Sequence, residues 1–212
     1  MKIDSILKKR GLYLISFEEG KELTVSEELL FALGWKKGRE VVLDERLFEK
    51  LEQDKYQQCF HIALRKLDYS ALSSKQLEQR LKKEGFCSKH ITYVIEKLKR
   101  MKLIDDDLLS KHIIESCLSK GFSKEKIRMK LYSKGLYNEE EQILSQYVPR
   151  DREEDNAYAV AKKKYKSLST LPPIEIKKKL YSTLSYRGFR YDSVKTAVER
   201  LLSEENFDIT DE

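Results

Sequence analysis

Apolar residues recur at helical spacing along most of the chain, and one arrangement of them occurs three times. It reads Leu77-x3-Leu81-x3-Gly85-Phe86, then Ile127-x3-Leu131-x3-Gly135-Leu136, then Leu180-x3-Leu184-x3-Gly188-Phe189. Apolar positions four apart form the inner stripe of a helix, and a glycine at its end fits a left-handed C-terminal cap. The Phe or Leu after each glycine supplies the hydrophobic contact that goes with such caps. A further apolar helix follows each glycine, with a capping residue ahead of it. Ser88 precedes Ile91, Val94, Ile95 and Leu98; Asn138 precedes Ile143, Leu144 and Tyr147; Asp192 precedes Val194, Ala197, Val198 and Leu201. A first helix leads into each pair, over about Gln57–Leu67, Asp107–Lys120 and Glu153–Leu168. The pattern predicts three tandem three-helix repeats, at 56–104, 105–150 and 151–202, with Pro172 and Pro173 opening the middle helix of the last. A unit of ~50 residues buries little by itself, so the repeats must stack, and an elongated, curved stack is expected.

Residues 1–55 follow a different pattern. Leu12–Phe17 and Glu22–Val25 are β-prone around a turn at Glu18–Gly20, and Glu40–Leu43 is a third strand candidate. Ser26 can cap a short helix ending at Gly34, and Asp44 a helix running past Lys55. The fold class expected is therefore mainly α, with a small β-containing N-terminal domain ahead of the repeats and an acidic tail at 203–212.

Composition agrees with a thin stack. The 212 residues are 37% charged and 40% hydrophobic, a low apolar fraction for one globular core. No apolar run approaches the ~20 residues of a membrane span, and the N-terminus has no signal-peptide pattern. Cys59, Cys87 and Cys117 are odd in number and widely spaced, which points to a reducing, cytoplasmic setting.

The net charge of +6 is unevenly distributed: residues 56–104 carry 11 Lys/Arg against 4 Asp/Glu, and residues 156–200 carry 11 against 3. Basic blocks alternate with acidic joints at Asp105–Asp107, Glu139–Glu141 and Asp151–Asp155. Such spacing fits a surface that faces a polyanion; on charge alone, solvated helix faces fit it equally well.

No phosphate-loop, dinucleotide, zinc-protease or serine-hydrolase motif is present, so no enzyme activity and no cofactor are expected. His61, His90 and His112 with the cysteines lack zinc-ligand spacing. Asp105–Asp107 opens a helix, where carboxylates are favoured without any metal. The basic residues carry more. Lys82, Lys83, Arg100 and Lys102 surround the later helices of the first repeat. Lys124, Lys126, Arg128, Lys130 and Lys134 cluster on the middle helix of the second. Lys162, Lys163, Lys164, Lys177, Lys178, Lys179, Arg187 and Arg190 lie in the third. Lys124 matches Lys177 in register, Lys126 matches Lys179, and Lys134 matches Arg187. Each phosphate such residues neutralise releases counterions and adds sequence-independent affinity. Tyr132, Tyr181, Tyr186 and Tyr191 are available for base stacking, although tyrosines at helical spacing more often belong to a core. A helix-turn-helix reading would place Asn138–Glu141, three carboxylates among them, against phosphate, which disfavours base reading by that helix.

Together these residues resemble the RecX family. The resemblance is carried by Leu72-Ser-Ser-Lys-Gln-Leu-Glu-Gln-Arg-Leu81, Leu103-Ile-Asp-Asp106, Ser119-Lys-Gly121, Lys126-Ile-Arg-x2-Leu131-x2-Lys-Gly135 and Leu180-x3-Leu-x2-Arg-Gly-Phe189, and it spans about residues 56–202. Residues 1–55 are similar only to longer members. One departure stands out: the family's usual Arg shortly before Lys120-Gly121 is missing from Glu115-Ser-Cys-Leu-Ser119, where Lys111 or Lys120 would have to substitute.

The resemblance implies three tandem three-helix repeats. It also implies binding to RecA and lodging in the groove of the RecA–DNA filament, with ATP hydrolysis, strand exchange and co-protease function limited. It further implies weaker binding of single-stranded DNA, with duplex DNA as a further ligand, no membrane association and a monomeric state. A free-standing helical DNA-binding protein of the transcription-factor class is the alternative.

Overall fold

The computed structural model describes residues 1–9, 11–136, 144 and 153–207. The chain divides into two compact units, Met1–Leu72 with Gln76–Ile104, and Ser73–Lys75 with Asp105–Glu212.

The first unit opens with an antiparallel sheet in the order β1 (Ile3–Lys9), β2 (Leu12–Phe17) and β3 (Glu22–Val25). The strand β1 was not among the sequence expectations. A register shift between Ile3 and Ser5 breaks the alternation by which a half-buried strand is recognised. In contrast, the Glu40–Leu43 candidate forms no strand: it makes an isolated bridge, Lys2 to Glu40, beside which the Val41 N–H donates to Met1 O at 2.7 Å. Helix α1 (Glu27–Leu33) is capped by Ser26, whose hydroxyl accepts from the Leu29 N–H at 3.1 Å, and ends at Gly34 in the left-handed region. Asp44 caps α2 (Glu45–Tyr69), a continuous helix of 25 residues. Ile15, Phe17, Val25, Leu30 and Trp35 form the core between sheet and helices.

Helices α3 (Ser74–Lys83) and α4 (Ser88–Arg100) complete the first unit against the C-terminal half of α2, burying Cys59, Leu77, Leu81, Ile91, Val94 and Leu98. The N-cap of α4 is Cys87 rather than Ser88, and it makes no side-chain cap bond. In the second unit, α5 (Asp106–Ser119) and α6 (Lys124–Ser133) pack through Ile114, Ile127 and Leu131. The Asn138 cap and the helix expected after it lie outside the described residues, except for Leu144, which is helical and buried. Helices α7 (Glu153–Tyr165), α8 (Pro173–Tyr186) and α9 (Tyr191–Phe207) enclose Ala157, Ala161, Leu180, Leu184, Val194 and Leu201. Asp192 sits inside the first turn of α9 rather than before it, and that helix runs on to Phe207 through part of the expected acidic tail. The described residues therefore form nine helices and one small sheet.

The repeated glycines are all left-handed, at φ 90° for Gly85, 73° for Gly135 and 85° for Gly188. After each, the next N–H bonds back to the second leucine of the stripe: Phe86 to Leu81 O, Leu136 to Leu131 O and Phe189 to Leu184 O. Within the second unit two of these turns are joints. Ser123, the buried N-cap of α6, donates its hydroxyl to Gly188 O at 2.6 Å and its N–H to Arg187 O at 3.0 Å. A methyl group on Gly188 would stand 2.7 Å from Lys126 Cβ. Ser73, fifty residues before Ser123 in register and also buried, donates its hydroxyl to Lys134 O. A methyl on Gly135 would stand 2.6 Å from Lys75 Cβ. Each joint thus sets a serine at a helix start against a glycine turn with no room for a side chain.

The joints make the glycines unequal. Gly188→Ala must both strain a left-handed φ and push α6 away, costing about 2 kcal/mol or more. Gly85→Ala, with nothing within 4 Å of the added methyl, costs only the conformational strain of about 1 kcal/mol. Urea unfolding followed by circular dichroism measures both; equal losses would mean that the close approach at Gly188 has no energetic weight.

Candidate anion-binding surface

Joining Ser123 to the α8–α9 turn brings basic residues from distant parts of the sequence together. Lys124 opens α6, Arg128 follows one turn on, Arg190 directly precedes α9, and Glu153 opens α7. These residues, with Glu125, line a cavity of about 660 Å³. Three helix N-termini therefore open beside one cavity, each contributing partial positive charge that favours an anion by about 0.3–1 kcal/mol. Arg128 is paired with Glu125 on its own helix. One carboxylate oxygen of Glu153 is buried without a hydrogen-bond partner among the described residues.

The remaining basic residues of the second unit fall into two groups. Lys134, Lys162, Lys163, Lys177, Lys178 and Lys179 are exposed. Lys126 and Arg187 are half-buried at the joint: the Lys126 ammonium lies 5.6 Å from the Tyr186 ring centre, and Arg187 Nη1 would be 2.7 Å from a methyl on Gly121. The Lys130 ammonium lies 4.5 Å from the Phe122 ring centre, and half-buried Lys164 sits in the last turn of α7, where cations suit the helix dipole. Tyr132, Tyr186 and Tyr191 are exposed rather than part of a core, and Tyr181 is half-buried.

In the first unit Lys82 pairs with Glu78 at 2.6 Å, while Lys83 and Arg100 are exposed. Exposed Lys102 has φ 56°, the one non-glycine residue with positive φ among the described residues. Asp105 accepts from the Leu108 N–H and Asp106 from the Ser74 N–H, each at 2.8 Å, so both are engaged with helix starts. No group of His, Cys, Asp and Glu among the described residues is arranged to hold a metal ion. Nor is any helix among them long and apolar enough to cross a membrane.

One cluster had no signal in the sequence spacing. Cys87 Sγ lies 3.1 Å from His90 Nδ1, and His90 Nε2 lies 3.3 Å from Glu52 Oε2. Glu52 comes from α2, thirty-eight residues before His90, so no local pattern links them. The Lys89 ammonium, also 3.3 Å from that oxygen, holds the Glu52 carboxyl below its usual range. Cys87 is the exposed cysteine, whereas Cys59 and Cys117 are buried. Burial pushes the Cys59 thiol up to about 12.

The geometry defines a class: a tandem three-helix-repeat protein with a sheet-containing N-terminal region and a basic cavity at a repeat joint. Sequence models of the first and third three-helix domains of RecX match residues 59–98 and 151–198. The protein named "Regulatory protein RecX" of Clostridium tetani (strain Massachusetts / E88) is 33% identical over 202 residues, covering 92% of this chain and 89% of its own. That of Clostridioides difficile (strain 630) is 30% identical over 188 residues, covering 88% of each. The chain belongs to the RecX family. A crystal structure of regulatory protein RecX superposes with a TM-score of 0.55 at 21% identity, over 93% of this chain and 98% of the other. RecX from Lactobacillus salivarius gives 0.55 at 20% identity, over 70% of this chain and 97% of the other. These two share the fold. Matches covering 92% of this chain reach well into residues 1–55, so the N-terminal region belongs to the shared sequence.

The cysteines give a direct check of the burial pattern. Alkylation by N-ethylmaleimide at pH 7.5, read by mass spectrometry, is expected to modify Cys87 alone in the native protein and all three cysteines in urea. Native labelling at Cys59 would contradict its burial and raised pKa.

Proposed function

We propose that this protein is a regulator of the RecA recombinase that binds RecA and lodges in the groove of the RecA–DNA filament. There it limits ATP hydrolysis, strand exchange and co-protease activity, and so acts in recombination, DNA repair and the SOS response. The observation that carries this reading is the similarity, over nine-tenths of the chain, to proteins named regulatory protein RecX. The protein acts as a monomer without a cofactor, and it binds naked single-stranded DNA more weakly than the filament.

The proposed mechanism is steric and electrostatic. The cavity residues Lys124, Arg128 and Arg190 take DNA phosphate, and exposed Lys177, Lys178 and Lys179 add a second basic row on α8. Lys82, Lys83, Arg100 and Lys102 contribute from the first unit, and Lys134, Lys162 and Lys163 from the second. Lys126, Lys130, Lys164 and Arg187 act with them through the position of their helices. Occupying the groove obstructs a second DNA strand and the subunit motion that accompanies ATP turnover.

Two measurements test the reading. Substoichiometric protein should slow ATP hydrolysis by RecA on single-stranded DNA, with affinity for the filament above that for naked DNA or free RecA. Tight binding to one duplex sequence without effect on RecA would favour a transcription-factor role instead. Separately, the triple variant Lys124→Gln, Arg128→Gln, Arg190→Gln should lower the slope of log K against log salt by about 2, roughly 0.7 per lost contact. Lys36→Gln, Lys37→Gln, Lys50→Gln is the control of equal charge change, and it should leave the slope as it is. Equal effects of the two triple variants would remove the cavity from the interface.

A further inference from the structure

The two joints of the second unit show what a glycine turn of this fold binds. In each, a helix start enters with a serine hydroxyl donated to the turn and a lysine two or three residues on. The aliphatic stem of that lysine covers the glycine: Lys75 at Gly135 and Lys126 at Gly188. The first unit carries the same turn, with the same back-bond from Phe86 to Leu81 O at 3.3 Å. Gly85, however, is exposed, with nothing within 4 Å of the position a side chain would take. It opens instead onto a cleft of about 920 Å³ between the repeat and the N-terminal sheet. Leu12, Leu14 and Thr24 form part of the far wall, and Cys87 and His90 lie beside the glycine.

We infer that the Gly85 cleft is a docking seat for a helix start of a protein partner, one with a serine or threonine cap and a lysine or arginine in its first turn. The occupant follows from the two filled joints, whose turn geometry Gly85 shares. The lysine or arginine is required for its aliphatic stem, as at Gly135 and Gly188, and not for its charge. Glu22, Glu52 and Glu84 line the cleft together with Lys9, Lys55 and Arg65, and Glu84 and Glu52 already pair with Lys66 and Lys89. A second copy of this chain joined head to tail would have to offer the middle helix of its last repeat. That helix begins Pro172-Pro173 and carries no hydroxyl cap. The occupant is therefore a different protein, and the inference rests on the reading of RecA as that partner.

Cys87 reports on the seat in the unmodified protein. The rate of its alkylation by N-ethylmaleimide is measured for the protein alone, over a range of concentrations, and with RecA filament assembled on single-stranded DNA. Binding to the filament is recorded in parallel by co-sedimentation. We expect the filament to slow alkylation by about tenfold or more at saturation, and the rate for the protein alone to be independent of concentration. Gly85→Asn fills the seat with the side chain best tolerated at positive φ. It should melt within a few degrees of the parent yet bind the filament about tenfold more weakly.

Filament binding with an unchanged alkylation rate overturns the docking seat and leaves the RecA reading standing. Absence of filament binding overturns both. A rate that falls as the protein alone is concentrated would mean that a second copy is the occupant, and the inference is then wrong. Unaltered filament binding by a folded Gly85→Asn protein would overturn it as well.

Discussion

A three-helix unit of about fifty residues has too little interior to be stable alone, so the energetics of a repeat protein lie at the contacts between neighbours. Here the contact has a definite chemistry. Ser123 satisfies two needs at once: it caps α6 by accepting from the Lys126 N–H at 3.2 Å, and it donates to Gly188 O. A buried hydroxyl left without these partners would cost about 1–3 kcal/mol, so the two helices are held in one register. Gly188 completes the joint by what it lacks. With no Cβ, α6 approaches until the Lys126 stem lies on the turn, a distance at which any other residue would collide. Ser73 and Gly135 repeat the arrangement.

The same joint organises the charged surface. Lys124 and Arg190 are sixty-six residues apart in sequence and share a cavity because Lys124 follows Ser123 directly and Arg190 lies two residues past Gly188, whose carbonyl accepts from Ser123. Three helix starts then open beside that cavity, and their dipoles add to the side-chain charges. Arg187 and Lys126 contribute differently. Arg187 lies against Gly121, in the turn after α5, and Lys126 over Tyr186, where they pack the joint, although in the sequence they look like members of the same basic block as Lys177 and Lys179.

The repeats were legible because their signals are local. An i, i+4 leucine stripe ended by glycine specifies a helix and its cap within ten residues, and all three glycines are left-handed as that pattern requires. The Ser26 and Asp44 caps were legible for the same reason. What escaped depends on distance or irregularity. The bulge near Ile3 hid β1 by breaking its alternation. Nothing local marks the joint role of Ser73 and Ser123, since their partners lie 61 and 65 positions away. Glu52 joins Cys87 and His90 only through the packing of α2 beside α4. Basic residues could be found by composition, but which of them face solvent and which pack a joint is a property of the assembled fold.

The central claim is that the serine hydroxyl and the missing glycine side chain act as one interaction. A double-mutant cycle of Ser123→Ala and Gly188→Ala, measured by urea unfolding, tests it directly. Removing the hydroxyl takes away one of the groups that an alanine at 188 would strike, at 2.9 Å from the added methyl, so the second substitution should cost less once the first is made. The account predicts a coupling of about 1 kcal/mol or more, in the direction of a double variant more stable than the sum of the single losses. Strict additivity, within about 0.3 kcal/mol, would show that the two residues act independently and would contradict it.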